Sequence, residues 1–317
     1  MQKYPLKPMF EERMKLLLGD EFEKFIEFLN KEPLRSIRVN ELKTSVEDLK
    51  KKLEDKGWEI SQPVKSHPEI IAINSQLEPG ELGRTFEHLL GYYYVQEISS
   101  MLPVTVLDPQ PGERILDLCA SPGSKTTQIA SLMKNSGTII ANEPDFGRMK
   151  ILSSNLERCG VSNAIITRRE GSRFCDELYE NGFVFDRILI DAPCSGEGTM
   201  RINPKTAKMW NAYGMKKMSF IQKKLISSAI KILKIGGELV YSTCTYAPEE
   251  DEDIIDFVLR KFPNVKIEKV SLPIKHHSGI LKWQDKEYLE DVKLSCRIFP
   301  FDDNTEGFFI AKLRRIK

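Results

Sequence analysis

From Arg114 onward, short apolar runs alternate with segments of helical spacing, and this alternation limits the fold more than any other feature. RILDLCA leads through SPGSK into TTQIASLMK, and GTIIANE leads into FGRMKILSSNLERCG. In the latter, Ile151, Leu152 and Leu156 keep helical spacing and Gly160 supplies a C-cap. Next come the strand NAIITRRE, the helical SRFCDELYENG and the strand FDRILIDAP. The amphipathic KKMSFIQKKLISSAIKILK is expected to stop at Gly236 and Gly237, before ELVYSTCT, the acid-capped helix PEEDEDIIDFVLRKF and the strand GFFIAKLRR. Strands alternating with helices predict a largely parallel α/β sheet with helices on both faces. Ligands of such sheets bind beyond the carboxyl ends of the strands. Asp117 to Lys125, Glu143, Glu170, Asp191 to Gly196 and Thr243 to Thr245 all fall at those ends.

The first hundred residues have a different texture. SIRVN reads as a strand, SVEDLKKKLEDKG as a helix capped by Ser45 and Asp48 and closed by Gly57, and WEIS and EIIAINS as further strands. This β-α-β text predicts a small α+β domain over residues 1–90, RNA-recognition-like or ferredoxin-like, ahead of the larger domain over 91–317. The tyrosines Tyr92 to Tyr94 are read as interdomain packing ahead of base stacking.

A chain of 317 residues that is 41% hydrophobic and 29% charged is globular. No apolar stretch approaches the roughly 20 residues that a membrane span needs, and MQKYPLKPMF lacks the apolar core of a secretory signal. The chain is therefore expected to be cytoplasmic, and a monomer. Its six cysteines show no CxxC pair and no His at ligand spacing, which argues against a disulfide scaffold and against a metal site. Cys159, Cys175 and Cys296 are read as structural. None of the four His lies near a cysteine turn in sequence, which weighs against a Cys-His protease. The net charge is +1, but Arg168, Arg169 and Arg173, then Arg201, Lys205 and Lys208, then Lys216, Lys217, Lys223 and Lys224 form local basic clusters. These are either solvated surface or nucleic-acid contacts.

DLCASPGSK is a strand-to-helix turn whose backbone approaches a ligand closely, with Gly123 permitting the approach. It matches neither GxGxxG nor GxxxxGK[ST], which removes the nicotinamide and P-loop templates. Glu143 ends the next strand, where an acid holds ribose hydroxyls. Turn and acid together point to a nucleoside cofactor without a pyrophosphate, S-adenosylmethionine. Two thiols, Cys194 in DAPCSG and Cys244 in YSTCTY, sit past the ends of two strands. A thiolate, an acid and a methyl donor suit methylation at carbon-5 of a pyrimidine. Thiolate addition at carbon-6 makes carbon-5 nucleophilic, and an acid and a cation at the ring edge stabilise the charge that moves towards N3 and O2.

ILIDAPCSGEGTM, with DLCASPGSKTTQIA upstream and LVYSTCTYAPEEDE downstream, closely resembles the Sun family of RNA cytosine-5 methyltransferases, and the likeness runs from PLRSIRVN to RIFPFDDNTEGFFIAKL. The resemblance implies a Rossmann-like S-adenosylmethionine-dependent methyltransferase sheet and an RNA substrate. It implies Cys244 as nucleophile, Cys194 as the thiol assisting release, Asp191 on the cytosine edge and Lys125 balancing protons near the ring. S-adenosylmethionine would lie along Cys119, Ala120, Ser121, Pro122, Gly123, Ser124 and Lys125, near Asp191, with Glu143 on the ribose and Arg148 and Glu170 nearby. Two positions depart from the family pattern: Glu170 stands where Asp is usual, and Phe301 where RIFPH has His. The compact outline, ending after GFFIAKLRRIK, is similar to the archaeal-type tRNA enzymes and favours tRNA over ribosomal RNA. Three rivals carry less. A DNA cytosine-5 enzyme would leave Cys244 idle, an amino-group methyltransferase calls for Asp-Pro-Pro-aromatic where DAPCSG stands, and a non-catalytic RNA-binding protein has no use for both thiols.

Overall fold

The computed structural model describes residues 6–317. Residues 1–5 of the opening MQKYPLKPMF read for a leader lie outside the described residues. Helices α1 (Pro8–Leu18) and α2 (Phe22–Asn30) come first. They were not anticipated, although Phe10, Met14 and Leu18 recur at helical spacing and are buried. They pack with Trp210, Tyr246, Phe299 and Phe301, at the far end of the chain from themselves.

A four-stranded antiparallel sheet follows, with β1 (Arg35–Val39), β2 (Ile60–Ser61), β3 (Ile70–Ile73) and β4 (Tyr93–Val95) in the order β2-β3-β1-β4. Helix α3 (Val46–Asp55) buries Val46, Leu49 and Leu53 against Ile37, Val39 and Ile71 of this sheet. Ser45 caps it as expected, accepting the Asp48 N–H. One-turn helices α4 (Glu81–Arg84) and α5 (Phe86–Leu89) lead to β4, which lies past the division expected at residue 90. Tyr93 and Tyr94 are buried, and Tyr94 Oη donates to Pro122 O at 3.3 Å, which is packing between the two sheets.

After α6 (Ile98–Leu107) the second sheet begins. Its parallel part alternates β5 (Arg114–Asp117), α7 (Ser124–Leu132), β6 (Thr138–Asn142), α8 (Phe146–Cys159), β7 (Ala164–Thr167), α9 (Gly171–Glu180) and β8 (Phe185–Asp191). Helices α10 (Pro204–Met209) and α11 (Ala212–Lys231) then lead to β9 (Leu233–Thr243). Helix α11 ends earlier than expected. Leu233 already pairs with Phe185, and Gly236, at φ 80°, sits where the β8–β9 register shifts between Phe185 and Arg187. The glycines read as a helix stop are a bulge inside a strand.

Helix α12 (Glu252–Lys261) and β10 (Val265–Glu268) follow, then β11 (His277–Ser278) and the hairpin of β12 (Lys282–Trp283) and β13 (Lys286–Glu287). The chain closes with β14 (Cys296–Ile298), α13 (Pro300–Asp303) and β15 (Phe308–Arg315). The path through the second sheet is β11-β14-β15-β9-β8-β5-β6-β7, with β10 also paired to β15. The five strands from β9 to β7 are parallel, and β15, β14, β11 and β10 add an antiparallel flank. The order reverses between β5 and β8, which opens a crevice at their carboxyl ends. Among the described residues no helix is long and apolar enough to cross a membrane.

The acidic run after β9 is buried. Glu250, Asp251 and Glu252 have no exposed surface, and the Arg297 guanidinium lies 3.5 Å from Asp251 and pairs with both Glu252 oxygens. Arg297 also donates to Tyr246 O at 3.0 Å. Removing one partner of a buried charge cluster leaves the others uncompensated. Arg297→Ala is expected to lose about 3–5 kcal/mol of stability, read as a lower guanidinium midpoint, and an unchanged midpoint would contradict this role.

Candidate active site

The four residues expected to be catalytic converge on one crevice. β8 and β9 run parallel with Asp191 beside Ser242, so both strands end at the same level. Cys244 directly follows β9, and Cys194 lies three residues past β8. Their sulfurs are 3.3 Å apart and both residues are half-buried. Lys125, in the first turn of α7, donates to Asp191 Oδ2 at 2.7 Å and to Ser100 Oγ at 2.9 Å. Ser242 Oγ donates to Asp191 Oδ1 at 2.8 Å. Asp191 is thus held at both oxygens, and its side chain keeps 30% exposure towards the crevice, against 7% for Lys125. The Lys125 ammonium also sits 5.4 Å from the Phe308 ring centroid.

Both thiol turns are tied to each other. Gly198 N–H donates to Cys244 O at 2.9 Å, and the Ser195 and Thr245 hydroxyls are 2.7 Å apart. Beneath the Cys194 turn, Glu250 Oε2 accepts Ser195 N–H at 3.0 Å and Gln222 Nε2 at 2.9 Å, while Gln222 also donates to Pro193 O. Glu197 accepts from Tyr246 N–H, Thr245 and Trp210. Hydrogen bonding to Cys244 and then burial push the Cys194 thiol well up, which keeps it protonated beside Cys244.

On the β5–β6 side, Cys119 to Gly123 form the turn before α7, with Gly123 at φ 105°. A side chain there would meet Leu152 Cδ1 at 3.1 Å, so the turn favours glycine both for its backbone and for its space. Arg148 donates to Ser121 O at 3.0 Å and lies 3.5 Å from the Glu143 carboxylate. Glu143, 2% exposed, also accepts Asp145 N–H. Glu170 lies in the same row of strand ends, but its carboxylate caps α9 through Ser172 and Arg173. Buried Asp117 takes a hydrogen bond from Thr126 on one oxygen, and its Oδ1 has no hydrogen-bond partner. A polar turn flanked by the acids Glu143 and Asp117 fits a nucleoside carrying vicinal hydroxyls and a cationic centre. Among the described residues no group of three or more His, Cys, Asp or Glu could hold a metal.

Three residues have places that the sequence did not signal. Arg201, counted in a basic cluster, is buried and donates to Thr305 O, Glu32 O and Asn304 Oδ1. Phe301 stacks on Phe299 at 5.4 Å within the cluster around α2, and lies outside the thiol crevice. Glu306 is buried beside Arg201. Nothing in the sequence around Glu306 signalled it.

Burial holds the carboxyls of Asp117 and Glu250 up to about 7 and that of Glu306 up to about 8. In the unfolded chain they ionise near pH 4 (about 3.9 for Asp and 4.3 for Glu). The folded state therefore binds more protons across that window, and its stability falls as pH rises from about 4 to about 8. Glu250→Gln keeps a side-chain oxygen for Ser195 and removes one titrating group. Its fall in urea midpoint between pH 5 and 8 is expected to be shallower than that of the unsubstituted chain, and parallel slopes would contradict the assignment.

Residues 104–314 match the family model described as 16S rRNA methyltransferase RsmB/F, and residues 6–98 match that for the N-terminal domain of 16S rRNA methyltransferase RsmF. A tRNA (cytosine(49)-C(5))-methyltransferase of Pyrococcus abyssi is 45% identical over 93% of each chain. Ribosomal RNA small subunit methyltransferase F of Vibrio parahaemolyticus is 42% identical over 92% of this chain, which spans 59% of that relative. The structure of NSun6 from Pyrococcus horikoshii with SFG superposes at a TM-score of 0.83 and 26% identity, covering 100% of this chain and 99% of that one. With its thiol crevice at the ends of β8 and β9, its turn at the end of β5 and family matches across nearly its whole length, the chain belongs to the RsmB/F methyltransferase family.

Proposed function

We propose that this chain is an RNA cytosine-5 methyltransferase that uses S-adenosylmethionine and acts on tRNA. The observation that carries the reading is the 3.3 Å approach of the Cys194 and Cys244 sulfurs beside the Lys125–Asp191 pair. Two thiols facing one crevice suit a reaction that adds a nucleophile to a ring and later expels it. The tRNA preference rests on the P. abyssi relative, matched over 93% of both chains. The S-adenosylmethionine assignment draws support from the SFG carried by the P. horikoshii structure, an analogue of that cofactor.

In this mechanism Cys244 adds as thiolate to carbon-6 of cytosine. Asp191, fixed by Lys125 and Ser242, meets the ring at its N3/N4 edge. The buried Lys125 ammonium offsets the negative charge that moves towards N3 and O2, and a fixed cation in a water-poor site does so without reorganising. Cys119 to Lys125 would hold S-adenosylmethionine, with Glu143 on its ribose, and the cofactor would supply the sulfonium methyl for carbon-5. Loss of the carbon-5 proton then restores the ring double bond and expels Cys244, and Cys194 assists that release. Arg148 and Glu170 would border the cofactor.

We assign the small sheet to RNA contact and place the division between it and the catalytic unit after Val95, the end of β4. An open cleft of about 840 Å³ between Pro63–Ser66 and Leu272–His276, lined by Lys65, Lys275 and His276 against the single acid Asp303, would give RNA phosphates a basic approach.

Incubated with bulk tRNA and S-adenosylmethionine, Cys194→Ala is expected to accumulate a slow-migrating protein–RNA band on a denaturing gel. Cys244→Ala should give neither band nor methylated product. A band from Cys244→Ala alone would reverse the two roles. A band from Cys194→Ala with ribosomal RNA and none with tRNA would move the substrate to the ribosomal class of the V. parahaemolyticus relative.

A further inference from the structure

Glu306 is a buried acid that the mechanism above leaves without a task. β15 runs antiparallel to β9 with Phe309 opposite Thr243, which carries the segment before Phe308 past Cys244. Gly307 N–H donates to Gly198 O, and Gly198 N–H donates to Cys244 O, so two hydrogen bonds separate Gly307 from the Cys244 backbone. Glu306 N–H itself donates to Glu97 Oε1 at 3.0 Å. The other Glu97 oxygen accepts Ser100 N–H, and Ser100 Oγ accepts from Lys125. Glu306 is therefore wired to the walls of the same crevice.

Its side chain is poorly used by the fold. Glu306 is 3% exposed, and neither carboxylate oxygen has a hydrogen-bond partner. Arg201 Nε approaches to 3.9 Å, but the terminal nitrogens of that guanidinium are committed to Thr305, Glu32 and Asn304. Tyr246 Oη, buried and likewise without a partner, packs against Gly307. The titratable groups facing Glu306 are thus Glu97 ahead of α6, Arg201 after the Cys194 turn, and Cys244 and Tyr246 after β9. Burial first, then Glu97, raise its carboxyl to about 8; Arg201 opposes them and Cys244 adds to them. A group that changes charge so close to neutral pH is matched to proton exchange with a thiol, whose ordinary value is about 8.5. Two other raised acids beside the thiols are already bound, Glu250 to Ser195 and Gln222 under the Cys194 turn and Glu197 to Trp210, Thr245 and Tyr246.

We propose that Glu306 is the proton acceptor for the Cys244 thiol, a catalytic residue for the addition step. The assignment rests on the reading of Cys244 as nucleophile. The S–H bond breaks and its proton passes to a Glu306 carboxylate oxygen. The sulfur pair forms the bond to carbon-6, and the ring π pair moves towards N3 and O2. When the carbon-6–sulfur bond later breaks, the pair returns to sulfur and Glu306 gives the proton back.

The test uses the Cys194→Ala chain, in which adduct accumulates, and measures the rate of protein–tRNA adduct formation across pH 6 to 10 with and without Glu306→Gln. The Gln chain is expected to be slower near pH 7 by about 100-fold or more. Its deficit should shrink as pH rises and the thiol ionises unaided. Glu306→Asp, which keeps a carboxylate, should retain part of the rate. An unchanged rate, or a loss by the same factor at every pH, would overturn the assignment. Circular dichroism and S-adenosylmethionine binding accompany each chain. Should the Gln chain fail to fold, Glu306→Ala assayed with added formate takes its place, where restoration of the rate supports the proposal and no response overturns it. Absence of adduct from Cys194→Ala itself, with any RNA, would instead sink the catalytic reading on which the assignment rests.

Discussion

The parallel register of β8 on β9 governs everything at the crevice. Because Asp191 lies beside Ser242, the two chains leave the sheet together, and their following turns meet at the thiols. A slip of one residue would turn each side chain to the opposite face and separate the pair. The register is held beyond the sheet itself. Ser242 bonds Asp191, Ser195 bonds Thr245, and Gly198 takes the carbonyl of Cys244. Gly198 has no space for a side chain, since a Cβ there would fall 2.2 Å from Gly307 O. That closeness lets β15 press its leading residues, Glu306 included, against the Cys244 turn. The bulge at Gly236 works to the same end, absorbing the mismatch at the start of β9 so that its last residues stay in step with β8.

Burying acids beneath such turns has an electrostatic cost that the fold meets in two ways. Asp251 and Glu252 are balanced by Arg297, reaching across from β14. Glu250 and Glu306 have no such partner at close range and hold their protons towards neutral pH instead. The first pair is a strut that fixes the chain after Cys244. The second two are poised to exchange a proton, one under each thiol turn. Glu249 and Asp253 of the same run are also partly buried, but they pair with Arg13, Lys223 and Lys286, and Arg13 holds the Glu249 carboxyl down despite its burial.

This contrast explains how much of the site was legible in the sequence. Cys194, Cys244, Asp191, Lys125 and the Cys119–Gly123 turn could be placed because each sits at the end of an element whose period shows in the sequence. The PEEDE run read as the acidic cap of a helix, and nothing local announces that Arg297, far along the chain, will bury it. Arg201 read as surface charge for the same reason, and Glu306 had no local pattern at all. Helix α2 shows the limit from another side. Phe22 and Phe25 are buried, but their partners Tyr246 and Phe301 lie more than two hundred positions away. Of the antiparallel flank only β15 was legible, since β11 and β14 are two and three residues long, too short for a period to register.

The small sheet is joined to the Cys119–Gly123 turn and the start of α7 by more than contact. Arg38 of β1, 2% exposed, donates to Ser124 O at 2.8 Å and to Thr127 Oγ1 at 2.9 Å, at the start of α7. Tyr94 of β4 and Asn155 of α8 both donate to Pro122 O. Lys125 stands between these anchors and reaches Asp191 in the opposite direction. A displacement of the small sheet would therefore pull on the backbone flanking Lys125 before it disturbed the thiols, which answer to β8, β9 and β15. With RNA assigned to the small sheet, substrate binding would bear on the turn assigned to the cofactor and on the cation beside the ring through the same few hydrogen bonds, leaving the register that sets the two sulfurs untouched.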